Sequence, residues 1–160
     1  MPTITAALQK SKAQANAKLM SNGMVEITPD KNATALPLDI VMVLDVSGSM
    51  HGEGIQVLID SVLHLQSMLS GNDRLAIITF NNSANVHCSW VGASDTIDEM
   101  KASLGTNFNA AINKLLDFLG SEGGDSGRAG VALFMSDGRP AGNQHAKEAD
   151  LQAITSFGYT

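Results

Sequence analysis

Residues 39 to 45 read Asp-Ile-Val-Met-Val-Leu-Asp, an unbroken apolar run between two carboxylates. A strand with one wet face alternates apolar and polar side chains. A short continuous run is how a strand looks when both its faces are covered, as in a parallel sheet flanked by helices. The residues just after the run narrow the reading further. Asp45, Ser47 and Ser49 put oxygen-bearing side chains at every second position of a loop leaving the strand, and Gly48 lets that backbone turn tightly. All three side chains are therefore able to face one point.

The rest of the chain repeats the strand-then-helix pattern. Ile55, Leu58, Ile59, Val62, Leu65 and Leu69 recur at helical spacing and predict an amphipathic helix that Gly71 closes. Arg74 to Phe80 is a second apolar strand, and the polar turn Asn81 to Asn85 predicts a hairpin with Val86 to Trp90. Thr96 followed by Glu99 has the capping-box spacing and predicts a short helix to Leu104, ended by Gly105. A second amphipathic stripe runs from Asn109 to Leu119 into the glycine-dense stretch 120–127. Val131 to Met135 is a third buried strand ending at Ser136-Asp137-Gly138, and residues 143–155 are expected to be helical. This alternation predicts an α/β fold, a doubly wound and mostly parallel sheet with helices on both faces. Ligands of such sheets sit beyond the carboxyl ends of the strands, where the strand order reverses. Three places qualify: Asp45 to Ser49 after the first strand, Gly105-Thr106 at a helix entrance, and Asp137 after the third core strand.

Composition excludes several classes. A chain of 160 residues is long enough for one core, and 44% hydrophobic against 16% charged residues is too apolar for a disordered segment. A net charge of -6 argues against nucleic acid as a partner. No stretch is apolar enough for a membrane span, and Met1 to Met20 lacks the apolar run of a secretory signal, so a cytoplasmic location is expected. The sequons at Asn32 and Asn81 are then chance matches. Cys88 has no partner for a bridge and reads as a small buried hydrophobe, and His51, His64, His87 and His145 show no ligand spacing. Residues 1–35 read as an extension, a tail or helix with a possible short strand, and residues 36–160 as the domain proper.

The oxygens of Asp45, Ser47, Ser49, Thr106 and Asp137 are hard donors suited to Mg2+, or to Mn2+ or Ca2+, rather than to zinc. The plainer reading of the Asp45–Ser49 loop is a set of side chains satisfying their own backbone and capping the next helix. Taken together, however, Asp45-Val46-Ser47-Gly48-Ser49, Gly105-Thr106-Asn107 and Ser136-Asp137-Gly138 stand in the order of a known pattern. The chain resembles the von Willebrand factor A (VWA) domain with its metal-ion-dependent adhesion site (MIDAS). The resemblance implies Ser47, Ser49 and Thr106 as direct metal ligands, with Asp45 and Asp137 often acting through water. It also implies a non-enzymatic module that captures an Asp or Glu of a protein partner through the bound ion, in an intracellular scaffold or complex. It covers about residues 36–160 and stops where the family's next strand begins. A truncated domain is therefore expected, with its C-terminal strands and helices missing and the strand ending at Met135 left as an edge that a partner chain would cover.

Two alternatives stand beside it. One is a Mg2+-dependent phosphatase or hydrolase built on strand-end aspartates, although such enzymes need a second carboxylate two residues after the first and this chain has Ser47 there. The other is a truncated domain without independent function.

Overall fold

The computed structural model of the chain describes residues 3–8, 23–28, 36–123, 127–138 and 144–160. Two compact units separate at Ala35 and Leu36. In the first, β1 (Thr3–Leu8) pairs antiparallel with β2 (Gly23–Thr28), Thr3 opposite Thr28 and Leu8 opposite Gly23. The extension expected over residues 1–35, a tail or helix with a possible short strand, is strand over residues 3–8 and 23–28, β-branched Thr3, Ile4 and Thr5 favouring an extended backbone in the first. The remainder of that expectation lies outside the described residues, as does the Asn32 sequon.

In the second unit β3 (Leu38–Asp45) leads through helix α1 (Glu53–Ser67) to β4 (Arg74–Phe80) and β5 (Ala84–Val91), then through α2 (Phe108–Glu122) to β6 (Ala129–Met135) and α3 (Glu148–Ser156). The sheet order is β5-β4-β3-β6, with β3 parallel to both neighbours and only β5 antiparallel. Alternate residues of β3 serve opposite faces, which is why its sequence is apolar throughout. Ile40, Met42 and Leu44 pack with Leu58 and Val62 of α1, while Val41 and Val43 pack with Ala111, Leu115 and Phe118 of α2. The chain leaves β3 toward β4 and later returns to β6 on the other side, so the strand order reverses beside β3.

Two expectations are corrected here. No helix forms between Thr96 and Leu104. That segment is instead held by distant partners: His87 Nε2 meets the Asp98 carbonyl at 3.0 Å, Ser103 N–H donates to Val46 O at 2.7 Å, and Met100 sinks into the α1-side core, while just ahead of it the Gln66 side-chain amide donates to the carbonyls of Gly92 and Asp95 at 2.8 Å each. The last helix starts at Glu148 rather than 143, with residues 139–143 outside those described. At the sheet edge, Tyr159 and Thr160 run parallel to the start of β6. Ala132 N–H donates to Thr160 O at 3.0 Å, and Thr160 N–H to Gly130 O at 3.3 Å. Beyond that pairing an apolar groove of about 350 Å3 opens between β6, α2 and α3, with Phe134 and Leu151 on its wall.

At the amino end of the sheet Asp39, 2% exposed, is held by two arginines. Arg74 grips it with two hydrogen bonds of 2.7 Å, and Arg128 donates to the same carboxylate from β6's side. Arg74 also lies 4.1 Å above the Trp90 ring, so β3, β4, β5 and the approach to β6 are tied at this end.

Candidate metal centre

The opposite, carboxyl end of β3 delivers Asp45 with no exposed surface. Val46 N–H donates to Phe80 O at 2.8 Å, fixing the loop to the end of β4. A single 3-10 turn, Gly48–Met50, comes after Ser47, and Met50 buries its side chain beneath it as an anchor. Ser47 N–H donates to Asp45 Oδ1 at 2.8 Å, so the aspartate shapes its own loop. Its other oxygen, Oδ2, accepts from Ser136 Oγ, which in turn accepts from Gly138 N–H at 3.2 Å.

The hydroxyls then form a chain. Ser47 Oγ and Ser49 Oγ share a hydrogen bond of 3.0 Å, and Ser49 Oγ donates to Asp137 Oδ1 at 2.8 Å. Thr106 brings its methyl group to the same place across Gly138: a Cβ there would lie 3.7 Å from Ser49 Oγ and 4.0 Å from both Asp45 Oδ2 and Thr106 Cγ2. Asp45, Ser47, Ser49, Thr106 and Asp137 are thus brought to one place from three separate loops. Ser47 is buried with Asp45, Thr106 is half-buried, and Ser49 and Asp137 face solvent. The cluster is open on one side.

Thr106 is placed by its neighbours. Ser103 N–H donates to Val46 O at 2.7 Å and Asn107 N–H to Asn81 O at 2.7 Å, and Asn107 Oδ1 caps α2 by accepting from Ala110 N–H at 3.0 Å. Between these pins Gly105 has φ +91°, and a Cβ on it would come 2.7 Å from that of Asn82, so the position admits glycine alone. Sequence reasoning missed the positioning roles of Ser136, Asn107 and Asn81. Ser136 is visible in the Ser-Asp-Gly turn, but nothing in that turn announces a bond to Asp45.

The donor set fits a hard divalent cation. Two carboxyl groups and the hydroxyls of Ser47 and Ser49 converge on an open notch, with the Thr106 side chain beside it. Among the described residues no lysine or arginine pairs with Asp45. A carboxylate buried without a cation beside it is costly, and an ion in the notch would offset that cost. Among the described residues no three His, Cys, Asp or Glu side chains gather as a metal group, so the cluster's donors are chiefly hydroxyls. Cys88 is half-buried against the α1-side core, and burial pushes its thiol pKa up, as suits a packing residue rather than a nucleophile.

The family model for the von Willebrand factor type A domain matches residues 40–139, a span that includes Asp45, Ser47, Ser49, Thr106 and Asp137. The chain belongs to the VWA family. VWA domains are in general non-enzymatic interaction modules, and they often bind a divalent metal at a MIDAS. Among the relatives, an uncharacterized protein of Synechocystis sp. is 32% identical over 108 residues, covering 68% of this chain and 23% of that protein. An inter-alpha-trypsin inhibitor heavy chain of Homo sapiens is 27% identical over 128 residues, covering 70% of this chain and 13% of its own. The VWA chain thus spans less than a quarter of the length of these relatives. Solved VWA structures share the fold. A von Willebrand factor type A structure from Catenulispora acidiphila superposes with a TM-score of 0.61 at 16% identity, over 99% of this chain and 39% of that one. Proximal thread matrix protein 1 from the mussel byssus, in a form with a zinc-occupied MIDAS motif, superposes with a TM-score of 0.58 at 15% identity, over 79% of this chain and 37% of that one.

Proposed function

We propose that this VWA domain is a metal-dependent protein-binding module. In it Ser47, Ser49 and Thr106 hold a divalent cation, Mg2+ or else Mn2+ or Ca2+, for the capture of an Asp or Glu side chain of a protein partner. The observation that carries this reading is the hydroxyl chain Ser47-Ser49-Asp137 beside buried Asp45, with Thr106 across Gly138. When bound, the cation supplies a positive charge that neutral hydroxyls leave largely uncompensated, and an exposed oxygen-seeking position. The protein's part is orientation. Asp45 has both oxygens engaged by Ser47 N–H and Ser136 Oγ, which suits a residue that fixes the loop and acts on the ion through water. Asp137 orients Ser49 and faces solvent, where a partner would arrive. Asp45 has no exposed surface and Ser47 stands where a phosphatase's second carboxylate is needed, which disfavours its service as a phosphatase nucleophile. An intracellular scaffold is the setting we propose for the module.

Calorimetric titration of the chain with Mg2+ tests the reading. One ion per chain is expected, with affinity falling at least tenfold in Ser47→Ala and Asp137→Ala while the circular dichroism spectrum is kept. Equal affinity in both variants would contradict it.

A further inference from the structure

Leu104 is 83% exposed, the most exposed large apolar side chain among the described residues. A lone surface leucine is ordinary, but two features set this one apart. Its backbone is held on both sides, by Ser103 N–H to Val46 O and by Asn107 N–H to Asn81 O, each at 2.7 Å, with Gly105 seated on Asn82. Its side chain also lies over Gly48: a Cβ on that glycine would come 3.3 Å from Leu104 Cδ2 and 3.7 Å from Ser103 O. Gly48 stands between Ser47 and Ser49, so an apolar side chain on a fixed backbone rests against the loop that carries two of the oxygens of the notch. Thr106, two residues further on, belongs to the notch itself.

We infer that Leu104 is a specificity residue of this surface, and that the segment it selects carries a large aliphatic or aromatic side chain within a residue or two of the captured Asp or Glu. The inference rests on the metal-dependent reading above. A carboxylate alone offers the notch one polar contact, the same for every acidic partner. Neighbouring Cα atoms are only about 3.8 Å apart, so a flanking side chain falls beside Leu104 when the acid enters the notch. Burying two apolar groups against each other there adds affinity that a glycine-flanked or charge-flanked acid lacks. Fixing Leu104 beforehand lowers the ordering cost of that contact.

Two fluorescein-labelled peptides of equal charge, Gly-Gly-Asp-Gly-Gly and Gly-Leu-Asp-Leu-Gly, test it by anisotropy in saturating Mg2+, with Mg2+ affinity measured separately by calorimetry. The leucine-flanked peptide is expected to bind the wild-type chain about tenfold more tightly than the glycine-flanked one. Leu104→Ser is expected to reduce that preference to twofold or less with Mg2+ affinity unchanged, and Leu104→Met to retain it. Mg2+ binding without the preference, or a preference that survives Leu104→Ser, overturns the inference and leaves the metal reading standing. Failure of the wild-type chain to bind Mg2+ overturns the metal reading and the inference with it.

Discussion

Asp45 has no exposed surface, and its two oxygens accept from Ser47 N–H on one side and Ser136 Oγ on the other. Ser136→Ala leaves Oδ2 without its donor, and a hydrogen bond to a buried charged group is worth about 2 kcal/mol. Urea unfolding is expected to show a loss of that order, with Mg2+ affinity reduced several-fold; an unchanged midpoint and affinity would remove Ser136 from the positioning role. The oxygen-bearing side chains at alternate positions after β3 are legible in the sequence because their spacing is local. The bond from Ser136 is not, because it joins residues 91 positions apart. Asp39, at the other end of the same strand, sets the acid limit of stability. Burial pushes its pKa up, but hydrogen bonds and charge from Arg74 and Arg128 outweigh that and hold it below the ordinary carboxylate range. Asp73 is also lowered: burial raises it, and the bonds from Ser70 and from the Leu38 backbone outweigh the burial. A folded pKa below the unfolded one means that the unfolded chain binds more protons in between. The stabilisation is therefore complete above the ordinary carboxylate value and is lost as pH falls through the folded one, from about pH 4 downward. Asp39→Asn is expected to flatten that acid limb and to cost about 3 kcal/mol at pH 7, since two arginines lose their shared partner. Urea midpoints measured from pH 7 to pH 3 check both effects, and parallel curves for the variant and the wild-type chain would contradict them.

Among the elements, β3, β4 and α1 are legible because burial dictates their patterns: apolar runs for strands covered on both faces, a stripe at helical spacing for the helix between them. The stretch from Thr96 to Leu104 misleads because its capping-box spacing is a local signal. The bonds that decide its path come from Gln66, His87 and Val46, all distant in sequence. The edge of β6 shows the same limit. Nothing local in Phe157-Gly158-Tyr159-Thr160 announces that its last residues pair with Gly130 and Ala132. That pairing is a close fit: a Cβ on Gly130 would lie 2.8 Å from the ring of Tyr159, which is only 3% exposed and has little room to retreat. Gly130→Ala is therefore expected to cost about 1–3 kcal/mol by overpacking and to speed hydrogen exchange at Ala132 and Thr160. Unaltered thermal stability and exchange would show that the C-terminal residues do not hold the edge.

At the scale of the molecule, a sheet wound on both faces brings the loops that leave β3 and β6 and the entrance of α2 together where its strand order reverses, and the open notch lies there. The order of the three loop signatures made that convergence legible, because β3 and β6 are neighbours in such a sheet. What the sequence could not display is how Gly105 and Asn107 lock the middle loop, since both act on Asn81 and Asn82 at the far side of β4. The most direct measurement is the amide spectrum of the full chain titrated with Mn2+, a paramagnetic ion that broadens the resonances nearest to it. Amides of Val46 to Met50, Gly105 to Asn107 and Asp137 to Gly138 are expected to vanish first and together, while those of Asp39, Arg74 and Arg128 stay sharp. The same amides are expected to persist in Ser47→Ala at an equal concentration of ion. Broadening centred elsewhere in the chain, or equal in the variant, would contradict a divalent cation held by Asp45, Ser47, Ser49, Thr106 and Asp137.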